Sequence, residues 1–232
     1  SICCYLRLLD MINKRTLTFL EDLRKHNTRE WFTEYKKEYE NARMEFSKLI
    51  DVSADELNLT DVIESKKIFR INRDVRFSKD KSPYKNKLSG FFTRATGARR
   101  GGYFLSLEPG GKTVVGGGFY APEKEDLLRI RREFEMDVSE IEKVTSDQNF
   151  TRHFGRLRGE ALKTAPRDFD KEHPNIKWIN MKQFYAFREF TDKEVIDTSF
   201  PKEVISTFLA IRPFFDYMSD VLTTDMNGES NL

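Results

Sequence analysis

The hydrophobic pattern changes period twice along this chain, and that limits the fold more than any other feature. Trp31, Tyr35, Tyr39, Ala42, Phe46 and Leu49 recur at steps of three and four, one face of a helix, with Glu34, Lys37, Glu38 and Lys48 between them. Such a face is expected to pack on a sheet. After Asp61 the step becomes two. Phe69, Ile71, Val75 and Phe77 fall on one side of an expected strand, with Arg70, Asn72, Asp74 and Arg76 on the other. From about Pro201 the helical step returns through Val204, Phe208, Ile211, Phe215, Met218 and Leu222, predicting a long core helix bent at Pro213.

Turn signals divide the alternating region. Ser82-Pro83 breaks the first run, a strand is expected over Leu88 to Thr96, and Gly97 to Gly102 reads as a hairpin tip. Tyr103 to Glu108 returns, Pro109-Gly110-Gly111 turns, and Lys112 to Tyr120 makes a further strand. Short helices follow between Asp137 and Phe154, then an irregular section from Arg156 to His173 and another strand over Gln183 to Phe190. Pro122 suits a first helical position ahead of a face of Leu127, Ile130, Arg131 and Phe134. Thr18 with Glu21, Asn27 with Glu30 and Thr191 with Glu194 match capping-box spacing. The expected architecture is α+β: a mainly antiparallel sheet, with a meander around 68–120 and a strand near 183–190, packed with helices from both terminal segments. One domain is expected over 17–222, after a leader through 16 and before a frayed tail over 223–232.

Charge is the second constraint. Between Lys66 and Arg100 stand twelve Lys or Arg against Asp74 and Asp80, a local charge of +10 in a chain whose net charge is only +2. The protein therefore has a basic pole. By parity Arg73 points with the apolar set, so it is expected to be structural and to need a carboxylate or carbonyl partner. Asp74 and Asp80 are expected to pair within the cluster, yet two carboxylates cannot neutralise twelve cations. Arg70, Arg76 and Lys81, with Tyr84, are accordingly expected to present donors to a phosphate or carboxylate, and Arg167 is a further candidate. Asp74 and Tyr84 are the candidates for carrying a proton if neighbouring cations shift them.

Other chemistries find less support. Gly111-Lys112-Thr113 lacks the first glycine of a phosphate-binding loop and leads into a strand, and no Gly-x-Ser-x-Gly elbow exists for Gly116-Gly117-Gly118 to serve. Close backbone approach is the expected reason for that glycine run. His26, His153 and His173 lack zinc-ligand spacing. No cofactor is predicted, but a divalent cation remains open, held by Asp74, Asp80 and Glu108 across neighbouring strands. Cys3 and Cys4 are too close for an ordinary disulfide, which fits a reducing cytoplasm, and no apolar run approaches the roughly 18 residues of a membrane span. The ten residues before Met11 lack a signal-peptide pattern and are set aside.

The segment Arg70, Arg73, Asp74, Arg76, Phe77, Asp80, Lys81 and Tyr84 resembles the hallmark of the bacterial proteins called domain of unknown function 2461. Further matches are Arg29-Glu30-Trp31-Phe32, Leu107-Glu108-Pro109-Gly110-Gly111, and Lys163 with Ala165-Pro166-Arg167. The resemblance runs from about Leu17 to Leu222 and implies a shared fold without an activity. Three readings stay open: a site for an anionic small molecule or nucleotide, a nucleic-acid surface in which Phe69, Phe77, Phe91, Phe92 and Tyr103 supply stacking, and a purely structural ion-pair network.

Overall fold

A computed structural model describes residues 12–95 and 97–232. Cys3, Cys4, most of the expected leader and the Thr96 end of one expected strand lie outside them. Five strands pair as an antiparallel meander in the order β1 (Ile63–Ile68), β2 (Leu88–Arg94), β3 (Gly102–Leu107), β4 (Thr113–Phe119) and β5 (Phe184–Phe190). The helices come before β1, between β4 and β5, and after β5, so the α+β class holds. No helix among the described residues is long and apolar enough to cross a membrane.

Contacts group the described chain into two compact units. The first takes in the chain up to Phe92 with Phe104–Val115 and Glu189–Ser206. It opens with α1 (Lys14–Lys25), α2 (Arg29–Glu34) and α3 (Lys36–Leu57). The helix starts differ from the capping-box expectation. Asn13 caps α1 five residues before Thr18, whose hydroxyl instead donates to Lys14 O, and Thr28 rather than Asn27 caps α2. Leu20 and Leu23 of α1 join Ala42, Phe46, Leu49, Ile50, Ala54 and Leu57 of α3 in a core, and α3 contacts both α1 and β1. Removing that apolar face from water supplies the main drive for packing.

The expected aromatic face does not continue through Trp31 and Tyr35. The backbone leaves helical geometry at Tyr35 (φ −99°, ψ 23°), so α2 and α3 are separate helices. Trp31 is half-buried and stacks on Phe19, His26 and Tyr35, with ring centroids 5.9, 5.9 and 4.4 Å away. It packs on α1 rather than on the sheet, and Tyr35 is exposed.

β1 is a further correction. Its sequence, Ile-Glu-Ser-Lys-Lys-Ile, has no apolar alternation, and its four middle residues are exposed. It is a sheet edge, where lysines discourage pairing with another chain, and Lys66 reaches Asp51 on α3 at 2.6 Å. The expected strand at 69–77 is instead part of the loop that joins β1 to β2. The apolar side of a strand packed on the core would be buried, whereas Phe77 is 96% exposed.

The second unit comprises Thr93–Tyr103, Gly116–Arg188 and the chain from Thr207. It holds α4 (Lys124–Met136), α5 (Ser139–Ser146), α6 (Gln148–Phe154), α7 (Ile176–Ile179) and most of α9 (Phe200–Thr223), while α8 (Asp192–Val195) belongs to the first. Pro122 stands two residues before α4 rather than at its first position. Tyr103 meets Phe208 and Phe215 edge-on, and Phe119 meets Phe214 and Phe215 likewise. Pro213 sits inside α9. A Cβ at Gly116, Gly117 or Gly118 would fall 2.0–2.3 Å from the carbonyl oxygens of Ala186, Gly102 or Phe184, which is the close backbone approach expected of that run. Toward the chain end Thr224 bridges Ser230, and Arg129 donates to the carbonyls of Thr224 and Asp225.

Candidate anion-binding site

The basic segment is a loop closed at its base by a short antiparallel bridge. Asn72 lies opposite Tyr84, Arg73 N–H donates to Pro83 O, and Lys85 N–H donates to Ile71 O. A second clamp comes from the chain between α1 and α2. The Asn27 amide donates to Tyr84 O at 2.9 Å and accepts from Tyr84 N–H at 3.0 Å, satisfying both backbone groups of one residue. From α2, Phe32 stacks on the Tyr84 ring with centroids 4.0 Å apart and planes at 17°. Tyr84 is only 9% exposed, and its ring packs beneath the loop.

Burial across the loop keeps a trace of the alternation. Ile71 is buried and Arg73 and Val75 half-buried, while Arg70, Asn72, Asp74 and Arg76 are exposed. Arg73 has the partners its position demands: Nη1 is 2.5 Å from Asp80 Oδ2, and Nη2 is 3.5 Å from Tyr84 O. Its Nε is enclosed and makes no hydrogen bond, and the side chain is 28% exposed. Asp80 also accepts from the Ser82 amide and hydroxyl, which with Arg73 hold its carboxyl below the usual value.

Two of the three cations expected to meet a ligand are engaged within the loop. Arg76 forms a two-point pair with Asp74, Nε to Oδ1 at 3.0 Å and Nη2 to Oδ2 at 2.6 Å. That pair, helped by the Arg76 amide and by Arg70 nearby, lowers the Asp74 carboxyl. The pairing favours the ionised form of Asp74 and so makes it a weaker base than an ordinary aspartate. Lys81 Nζ donates to Val75 O at 2.8 Å and closes the loop tip. Arg70 differs, since among the described residues its side chain has no hydrogen bond or ion pair.

Lys85 is the residue that sequence reasoning counted but did not single out. The residue is half-buried and its ammonium donates to Arg70 O at 3.0 Å, with no carboxylate against it among the described residues. Burial first, then the charges of Arg70, Lys87 and Arg73, push its pKa below the ordinary lysine value. The bridge explains this grouping, because pairing 71–73 with 83–85 sets Arg73 and Lys85 two residues apart along one ribbon. Parity of the returning segment, Lys85 and Lys87 at a step of two, is the sequence signal that carries it. Lys87 reaches Glu108 at 3.5 Å, and Asn86 reaches the same carboxylate at 3.5 Å.

Asp74, Asp80 and Glu108 are thus each held by different partners. Among the described residues no group of three His, Cys, Asp or Glu is placed to hold a metal ion, which corrects the suggestion that these three converge. Arg167 belongs to the second unit; its side chain is 95% exposed, with Asp168 Oδ1 3.8 Å from its Nε. The Pro109-Gly110-Gly111 turn also has a use. Both glycines have positive φ (83° and 70°), and their amides each donate to the Asp192 carboxylate at 3.0 Å, which ties the β3–β4 turn to α8.

The family described as conserved hypothetical protein (DUF2461) matches residues 15–217. The chain belongs to this family. The matched span includes the clamp residues Asn27 and Phe32, the basic loop and the glycine turn, so the resemblance drawn from those motifs is upheld. No curated protein and no solved structure matches the chain.

Proposed function

We propose that this DUF2461 protein binds a small anion, a phosphate or carboxylate, through Arg70, Lys85 and Arg73 at the base of the basic loop. The observation that carries the reading is the setting of Lys85: a half-buried residue whose ammonium sits on a carbonyl facing like charges, beside Arg70, whose side chain has no hydrogen bond or ion pair among the described residues. Such a site is improved by a counter-charge, and arginine with lysine offers planar and point-like donors together. Binding rather than turnover is proposed, because Asp74 is committed to Arg76 and Tyr84 to the packing.

A thermal-shift screen of phosphate, sugar phosphates, nucleotides and carboxylates tests this. A ligand at a hundred times its Kd stabilises by ~2.7 kcal/mol, which in a chain of this size raises the melting temperature by roughly 5–10 °C. Arg70→Gln and Lys85→Gln should abolish most of that rise. No stabilising anion, or equal stabilisation of both variants, means that the cluster is only a structural network. Phe77, exposed between Arg76 and Lys79, favours nucleic acid as a second reading. An oligonucleotide whose affinity falls by orders of magnitude between about 50 and 200 mM salt would select it.

A further inference from the structure

A separate cavity of about 600 Å³ lies within the second unit, and none of its lining residues is acidic. One wall is an arch, residues 156–162, laid along the outer edge of β5. Arg158 and Tyr185 exchange backbone hydrogen bonds at 2.7 and 2.9 Å, and Leu162 N–H donates to Asn180 O at 2.8 Å. Gly159 makes this possible, since a Cβ there would stand 1.8 Å from Gln183 O. In the antiparallel pair Arg158↔Tyr185 the two side chains share a face, and Arg156 also lines the cavity.

Helix α7 contributes Lys177 and Trp178 to the lining. The indole is half-buried and oriented, because its Nε1 donates to Glu142 Oε1 at 3.1 Å and its ring meets Phe134 at 5.6 Å. Leu157 and Met181 add apolar surface. The nearby Glu160 is paired with Lys182 at 2.8 Å. Among the described residues, neither the Arg156 nor the Lys177 side chain has a hydrogen bond or ion pair.

We propose that this cavity binds a nucleoside phosphate, with the base against Trp178 and Tyr185 and the phosphate between Arg156 and Lys177. The volume falls in the range of small-ligand sites, and aromatic walls with a few charged groups at one end match a flat ring carrying a charged tail. Two cations exceed what one carboxylate compensates, whereas a phosphate monoester carries nearly two charges and a diphosphate more. Arginine adds a planar fork for phosphate oxygens.

Trp178 reports on the site directly. The chain has two tryptophans, so a Trp31→Phe background leaves Trp178 as its single indole fluorophore. Titration with AMP, ADP and ATP should give saturable quenching, and adenosine should bind at least tenfold more weakly. Arg156→Gln with Lys177→Gln, both at exposed positions, should weaken nucleotide binding at least tenfold without changing the melting temperature. Arg70→Gln with Lys85→Gln should leave the quenching unchanged, which separates this site from the basic loop. The proposal is overturned if none of the nucleotides quenches saturably, if the Arg156/Lys177 double variant binds them equally well, or if a short oligonucleotide binds at least tenfold more tightly than any mononucleotide.

Discussion

Replacing Asn27 by alanine should loosen the whole basic loop, because one side chain satisfies both backbone groups of Tyr84. Two hydrogen bonds are lost, each worth roughly 0.5–1.5 kcal/mol net, and two part-buried backbone groups are left to find water. With partial access to solvent the total should be about 2–3 kcal/mol, a fall in melting temperature of roughly 5–10 °C. Asn27→Asp is the sharper variant. It keeps an acceptor for Tyr84 N–H but turns a carboxylate oxygen toward Tyr84 O, so it should cost at least as much as alanine despite its near-identical shape. Urea unfolding followed by far-UV circular dichroism measures both. A double-mutant cycle with Phe32→Leu should show coupling, since Phe32 stacks on the ring of the residue that Asn27 holds. Unchanged midpoints for Asn27→Ala, or a neutral Asn27→Asp, would refute the clamp.

Trp31→Ala should cost less than the roughly 3–5 kcal/mol of a fully buried aromatic, about 1–2 kcal/mol, because the indole is only half-buried against α1; urea unfolding reads it. Arg76→Gln should leave anion binding nearly intact in the thermal-shift screen but raise the Asp74 carboxyl titration seen by NMR, since Arg76 is the main cause of its lowering. With the native pair present, the stabilisation from the depressed Asp74 exists above its unfolded pKa and is lost as pH falls through the lower folded one. Asp192→Asn should destabilise the Gly110-Gly111 turn and speed amide exchange at those two glycines, because each then loses a charge-assisted acceptor.

The fold was legible where burial writes a period. Phe46 and Leu49 on α3, and Val204 through Met218 on α9, lie in the core as their spacing requires. Thr191 and Glu194 form the capping box expected of them. β1 was illegible because an exposed edge strand has no apolar side to alternate. The alternation at 69–77 misled for the opposite reason: polar and apolar residues alternated in a loop that pairs at one bridge only, leaving Phe77 in solvent. The composition of the candidate site was visible as a charge excess, but its internal pairing was not. Spacing could not reveal that Arg76 folds onto Asp74 and Lys81 onto Val75 O while Lys85 is left facing other cations.

Lys85 therefore offers the most direct test of the anion-binding reading, by NMR titration of its side-chain methylene and ammonium signals with and without the best anion from the screen. In the free protein its pKa should lie below the ordinary 10.5, because burial and the surrounding cations disfavour its charge. A bound anion favours the charged form and should raise that pKa, so by linkage affinity must weaken as pH rises through the free-state pKa. A Lys85 titration that does not move when the anion saturates, or an affinity flat across that pH range, would contradict the account.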